Sequence, residues 1–177
     1  MNRFSGLSAA LLLCMTMTGV AQAVELSAAA GATDDGSMVY RMGAQLPFSN
    51  SWWRSDTGHL SGYWDAGYTY WSSGNDSDAN GSLSFTPVFV YEFAGQTVRP
   101  IIEAGIGVAA FADTEVDGND LGSALQFEDR IGLGLRFSGQ EVGVRAMHYS
   151  NAGLKTPNDG VELWCTAGTA ATAARSG

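Results

Sequence analysis

The sequence is poor in charge: only 15% of its 177 residues are Asp, Glu, Lys or Arg, against roughly 25% in a soluble globular domain. Cations are scarcer still. Nine Lys and Arg face 18 Asp and Glu, a formal net charge of -9, which excludes an electrostatic grip on nucleic acid. Of two cysteines, Cys14 lies in the leading segment and Cys165 near the end, so no disulfide framework holds the fold. Four prolines, and no charged or proline-rich linker, leave one domain as the natural count. Beyond the first 23 residues no apolar run approaches the ~18 residues of a membrane-spanning helix. Yet 45% of the residues are hydrophobic and 11% aromatic, which excludes a disordered chain. Glycine is plentiful, with 23 in the chain, nearly twice the usual ~7%.

Residues 1–23 read as a cleaved secretory signal. Arg3 precedes an apolar stretch centred on Leu11-Leu12-Leu13, and Ala21-Gln22-Ala23 forms the small-residue cleavage site. Leu13 stands before Cys14 where a lipobox wants a small residue, which argues against a lipid anchor.

Period-2 alternation divides the remainder into segments at roughly 25–32, 37–47, 58–72, 81–93, 98–112, 121–137, 141–150 and 161 onward. Turn chemistry separates them, as in Thr33-Asp34-Asp35-Gly36 and Ser138-Gly139-Gln140. Without a 3.6-residue stripe, and with many β-branched and aromatic residues, the chain is predicted all-β. One face of each segment is large and apolar: Met38, Tyr40, Met42 and Leu46 in one, Leu83, Phe85, Phe89, Tyr91 and Phe93 in another, Ile131, Leu133, Leu135 and Phe137 in a third. The opposite face is Gly, Ser and Thr with scattered charges. A soluble sandwich would carry a dense charged exterior. Apolar outside and small or ionic inside is the pattern of an eight-stranded antiparallel transmembrane β-barrel. Its lumen is predicted to hold Arg41, Asp65, Glu92, Glu103, Glu128, Arg130, Arg136 and Arg145 as a nearly neutral, paired set.

Connection lengths give the orientation. Ala94-Gly95-Gln96 and Ser138-Gly139-Gln140 are short, as periplasmic turns are. The stretches 74–80, 113–120 and 151–160 are longer and acidic, with Asp76, Asp78, Asp113, Glu115, Asp117, Asp120 and Asp159, as outer loops are. This acidity reads as solvated or bridging charge, since no twelve-residue calcium loop is present. Tyr70 and Trp71 at one end, and Phe48, Trp52 and Trp53 at the other, are expected in aromatic girdles. His59 reads as a surface residue near the periplasmic end.

The stretch Glu141 to Ser150 contains the candidate chemistry. Alternation puts His148 and Ser150 on the lipid-facing side, with Cα atoms ~6–7 Å apart. If 151–160 is a hairpin loop in which Ser150 pairs with Gly160, His148 falls opposite Glu162. A hydroxyl nucleophile, an imidazole base and an orienting carboxylate then share one surface, which is the arrangement for acyl transfer from an ester. Asn151, Asn158 and the Gly153 amide are candidate oxyanion donors, and Asp129 shares the nominal face on the adjacent strand. Ionisable groups are costly on a barrel's lipid face, so three together call for a functional reason.

The run His148-Tyr149-Ser150-Asn151-Ala152-Gly153-Leu154-Lys155-Thr156-Pro157-Asn158-Asp159-Gly160-Val161-Glu162 resembles the signature of the outer-membrane lipid A 3-O-deacylases, the PagL family. The resemblance implies an outer-membrane barrel that hydrolyses the ester-linked 3-hydroxyacyl chain at position 3 of lipid A. It makes Ser150 the nucleophile, His148 the base and Glu162 the third member, with Asn158 and Gly153, and also Asn151, serving the oxyanion. The implied partners are lipid A or lipopolysaccharide and the outer-membrane lipid, no cofactor is called for, and a homodimer is left open. Domains are expected as 1–23 signal, 24–165 barrel and 166–177 an atypical tail: after Cys165 the sequence Thr166-Ala167-Gly168-Thr169-Ala170-Ala171 and beyond has no aromatic and hardly any strand pattern, as a shifted reading frame would give. An aberrant last strand is the expectation. Two other readings stay open here, a non-enzymatic small barrel and an inactive copy of the enzyme.

Overall fold

The computed structural model describes residues 24–74 and 78–171; the signal segment, Asp76 and the end of the tail lie outside the described residues. Eleven strands are present among them: β1 (Glu25–Thr33), β2 (Met38–Pro47), β3 (Trp52–Ser55), β4 (Gly58–Trp71), β5 (Asn80–Phe93), β6 (Arg99–Phe111), β7 (Glu115–Val116), β8 (Asn119–Asp120), β9 (Leu125–Phe137), β10 (Gln140–Ser150) and β11 (Val161–Ala171). Eight of them close an antiparallel barrel in the order β1-β11-β10-β9-β6-β5-β4-β2, with β2 paired back to β1. Among the described residues no helix is long and apolar enough to cross a membrane. β3 adds a short hairpin to the inner end of β4, and β7–β8 is a small outer hairpin. Neither was anticipated, because two- to four-residue strands leave no measurable alternation.

The facing of side chains follows the predicted period. Met42, Leu83, Ile106, Ile131 and Leu133 project outward, and the eight predicted charges line the lumen. There they pair: Arg130 binds Asp65 at 2.7 Å and Glu128 at 2.5 Å, Arg41 binds Asp65 at 2.6 Å, and Arg136 binds Glu92 at 3.0 Å. Glu141, which the alternation left unassigned, joins them by accepting from Arg136 at 2.8 Å and Arg145 at 3.0 Å, while Arg145 also binds Glu103. Each guanidinium thus meets at least one carboxylate, which is what makes burial of these groups tolerable.

Three expectations are corrected. Trp71 is not a girdle residue; it is 2% exposed, packs tilted against Phe111 and edge-on against Tyr149 toward the outer end of the lumen, and donates from Nε1 to Ser82 Oγ at 3.0 Å. The sixth barrel strand begins at Leu125 and not at 121, because Gly122 has φ +68 and turns the chain out of the sheet. The last strand does not fade at Cys165. β11 continues to Ala171 and pairs on both sides, Ala167 with Ala29 and Gly143, Thr169 with Ser27 and Glu141. Ala167 and Thr169 are buried on the lumen side, Thr169 opposite Glu141, which pairs with Arg145. Backbone pairing along two edges, not apolar contrast, defines this stretch as strand.

Candidate active site

Strand β10 has two sets of side chains in alternation. Arg145, Met147 and Tyr149 point into the lumen and are buried, while Ala146, His148 and Ser150 face outward and are partly exposed. The inward set anchors the strand. Tyr149 is fully buried, its ring packs edge-on against Trp71 and Phe111 at 5.4 and 5.5 Å, and its hydroxyl donates to Glu128 at 3.0 Å. Rooted at every second residue, β10 fixes the height of His148 and Ser150 on the outer surface.

The expected hairpin register is present: His148 lies opposite Glu162 on β11 and opposite Asp129 on β9. His148 Nδ1 and Glu162 Oε1 are 2.8 Å apart, in side chains 40% and 47% exposed, so this hydrogen-bonded pair belongs to the outer surface and not to the core. With Nδ1 engaged, Nε2 is the ring nitrogen that remains to take a proton. Ser150 stands one outward position further along the strand. Gly160 closes the hairpin at φ +73, and a Cβ there would come within 3.1 Å of His148 Cε1; glycine therefore serves both the turn and the seating of the imidazole.

Beside the pair an apolar groove of about 650 Å³ crosses the barrel exterior. It starts at Asp129, His148 and Glu162, passes over Ala104 and Ala146, and is walled by Phe89, Ile131 and Trp164. Small residues on the floor and large ones at the sides follow from neighbouring strands whose outward positions at that height happen to be alanine. The Trp164 indole is held by a hydrogen bond from Nε1 to Asp34 Oδ1 at 2.9 Å, which ties the β1–β2 loop to this wall.

The loop 151–160 surrounds the outer end. Asn151, weighed as an oxyanion donor, is 1% exposed, and its NH2 donates to the carbonyls of Leu121, Lys155 and Pro157 at 2.9, 2.9 and 3.3 Å. Its part is to organise the loop. Its backbone N–H donates to Asn158 Oδ1 at 2.8 Å. That bond orients the exposed Asn158 side chain and leaves its NH2 as the outward, donating end. Ala152 and Gly153 have φ +54 and +74, so the backbone turns sharply after Asn151, and Leu154 N donates to Asn151 O at 3.1 Å. The contacts of Asp120, Leu121, Gly122 and Asp159 with this loop were not foreseen. The acidic loops carry no periodicity, and only the asparagine-glycine-rich turn chemistry hinted that backbone there would be closely packed. Among the described residues no group of three His, Cys, Asp or Glu side chains converges as a metal site.

Comparison with known proteins supplies the context. Residues 38–165 match the family described as lipid A 3-O-deacylase (PagL). A lipid A deacylase PagL from Pseudomonas aeruginosa is 61% identical over 145 residues, 81% of this chain and 84% of that protein. One from Bordetella bronchiseptica is 38% identical over 120 residues, 66% of this chain and 62% of its own length. The crystal structure of the outer membrane enzyme PagL superimposes with a TM-score of 0.82 at 57% identity, covering 84% of this chain and 99% of that one. A family match over well more than half the chain, a closely similar sequence and the same closed barrel agree: this chain is an outer-membrane β-barrel that belongs to the lipid A 3-O-deacylase (PagL) family.

Proposed function

We propose that this chain hydrolyses the ester linking the 3-hydroxyacyl chain to position 3 of lipid A, with Ser150 as nucleophile, His148 as general base and Glu162 as the group that orients and charges the imidazole. The observation that carries the reading is the His148–Glu162 pair at 2.8 Å on the barrel's outward face. Ionisable side chains set against hydrocarbon are costly unless they are used, and family membership supports lipid A deacylation as their use. In the reaction the Ser150 hydroxyl attacks the ester carbonyl while its proton passes to His148 Nε2. Glu162 stabilises the imidazolium at Nδ1. The Asn158 NH2 and the Gly153 amide are the donors suited to the tetrahedral oxyanion. Collapse breaks the ester bond, the sugar oxygen leaves with the proton from His148, and the acyl group stays on Ser150 until water, activated by the same imidazole, releases the fatty acid.

The surroundings suit this substrate. The apolar groove beside the pair receives an acyl chain lying in the membrane. Among the described residues Lys155 is the exposed cation of the outer end, on a loop otherwise acidic or neutral, and so faces the side where an anionic headgroup lies. The test is expression of the full chain in cells that make intact lipid A, followed by mass spectrometry of the lipid. The chain is expected to remove one 3-hydroxyacyl group and Ser150→Ala to remove none. An inserted, folded chain that leaves lipid A unchanged overturns the activity. Hydrolysis that persists in Ser150→Ala overturns the nucleophile.

A further inference from the structure

The outer hairpin and the site loop meet in a way that neither the strand pattern nor the proposed chemistry requires. After β8 the chain does not return directly to the barrel wall. Leu121 turns inward and is completely buried, beside Val116, on top of the aromatic group formed by Trp71, Phe111 and Tyr149. Its N–H donates to Thr114 O at 2.8 Å. Leu121 O accepts from Gln126 Nε2 on β9 at 3.2 Å, and further contacts of the segment run outward to the loop 151–160. Leu121 O also accepts from Asn151 Nδ2 at 2.9 Å. Asp159 N donates to Asp120 O at 3.3 Å, and Asp120 N donates to Asp159 Oδ2 at 3.2 Å, a reciprocal pair. Gly122 N is turned back onto Asp120 Oδ1 at 2.8 Å.

Gly122 is the tightest point. Its φ of +68 lies in the left-handed region, and a Cβ built on it would overlap the carbonyl oxygen of Pro157. A side chain there cannot be absorbed by a flexible neighbour, because the obstruction is backbone. Pro157 immediately precedes Asn158, whose Oδ1 is held by the Asn151 N–H, and Pro157 O is itself an acceptor for Asn151 Nδ2. A displacement of Pro157 is therefore passed directly to Asn158.

We propose that the segment Asp120–Gly122 is a positioning element for the ester hydrolysis: rooted in the lumen through Leu121, it sets the place of Pro157, and through it the Asn158 amide, relative to Ser150. The inference rests on the reading of the site given above. Gly122 touches no reacting atom and acts through the loop. Because small errors of donor placement cost rate and not substrate binding, its signature is a fall in kcat at constant KM.

The test measures 3-hydroxyacyl release from purified lipid A by the full-length chain refolded in detergent, with barrel formation followed by the heat-dependent shift of the folded band on gels. Gly122→Ala is expected to lower kcat about 10- to 100-fold with KM within about twofold. Gly118→Ala is the control: Gly118 also has a positive φ, +80, but no atom lies within 4 Å of a Cβ placed there, and it is expected to keep kcat within about twofold. Asp159→Ala is expected to lower kcat about 3- to 10-fold, while Asp159→Asn, which keeps an acceptor for Asp120 N, restores it. Wild-type kcat in folded Gly122→Ala overturns the proposal. So do equal losses in Gly118→Ala and Gly122→Ala, or a loss confined to KM. If Gly122→Ala does not fold, the Asp159 pair decides: equal kcat for Ala and Asn overturns the proposal. A folded wild-type chain that releases no acyl group overturns the functional reading, and this inference with it.

Discussion

The molecule handles charge in two opposite ways. In the lumen, carboxylates and guanidiniums form a closed set: Arg130 lies between Asp65 and Glu128, and Arg145 between Glu103 and Glu141, with the barrel wall excluding solvent all round. On the exterior, His148 and Glu162 form one pair, each about half exposed, with apolar surface on the flanks. The inner groups are matched cation to anion behind the barrel wall, although Asp65 Oδ1 and Arg130 Nε have no hydrogen-bond partner. The outer pair lines an apolar groove and leaves a ring nitrogen of His148 without a side-chain partner among the described residues. On the proposed reading of the site, buried density of charge is the poorer guide to function in this barrel, and placement on the costly face the better one.

Breaking each side separately should give opposite phenotypes. The largest effect is expected for His148→Ala, a loss of about 10⁴-fold in kcat, equivalent to about 5.5 kcal/mol, with unchanged stability to urea in lipid vesicles. Measurable hydrolysis near the wild-type rate would remove His148 as the base. Next is Arg130→Met, which leaves Asp65 and Glu128 facing each other with one cation fewer. A loss of about 3–5 kcal/mol in unfolding free energy is expected, while the molecules that do fold keep their specific activity. Neutralising one acid as well, with Glu128→Gln, leaves Arg41 matched to Asp65 and should return most of that loss. If it does not, the lumen set is not held by charge balance. The smallest effect sharpens the comparison. Glu162→Gln keeps an acceptor for His148 Nδ1 but removes the charge, and kcat is expected to fall about 10²-fold, less than on deleting the base because this pair is open to solvent. Stability should not fall with it, and a fall of several kcal/mol would mark Glu162 as a structural group like its lumen counterparts.

Much of this was legible in the sequence, for a specific reason. A barrel strand shows its two faces to two different solvents, so alternation assigns every side chain: it put Arg145 and Tyr149 inside and His148 and Ser150 outside, and counting across one hairpin loop brought Glu162 to His148. Where residues leave the two-solvent rule, the reading failed. Trp71 is large and apolar but lies inside, because the outer end of the lumen is filled by a cluster of apolar and aromatic residues and not by charges. Leu121 looked like the start of a strand and is a plug. Asn151 looked like a donor to substrate, and only the three carbonyls around it reveal a scaffold. Thr166 to Ala171 lacked contrast between faces, yet its hydrogen-bonding edges are both occupied. Period reads side chains; it does not read backbone partners.

The groove next to His148 is open along its length, with a floor and two sides but no roof. In the membrane its fourth wall is the hydrocarbon of neighbouring lipids, and under the proposed hydrolysis at Ser150 the bilayer forms part of the reaction chamber. Acyl-chain order then becomes a parameter of catalysis in its own right: a stiffer leaflet presents the ester at a more sharply defined depth relative to Ser150, and a detergent micelle blurs that depth. For a protein of this design, the selectivity measured in micelles and in vesicles should differ even when every side chain stays where it is.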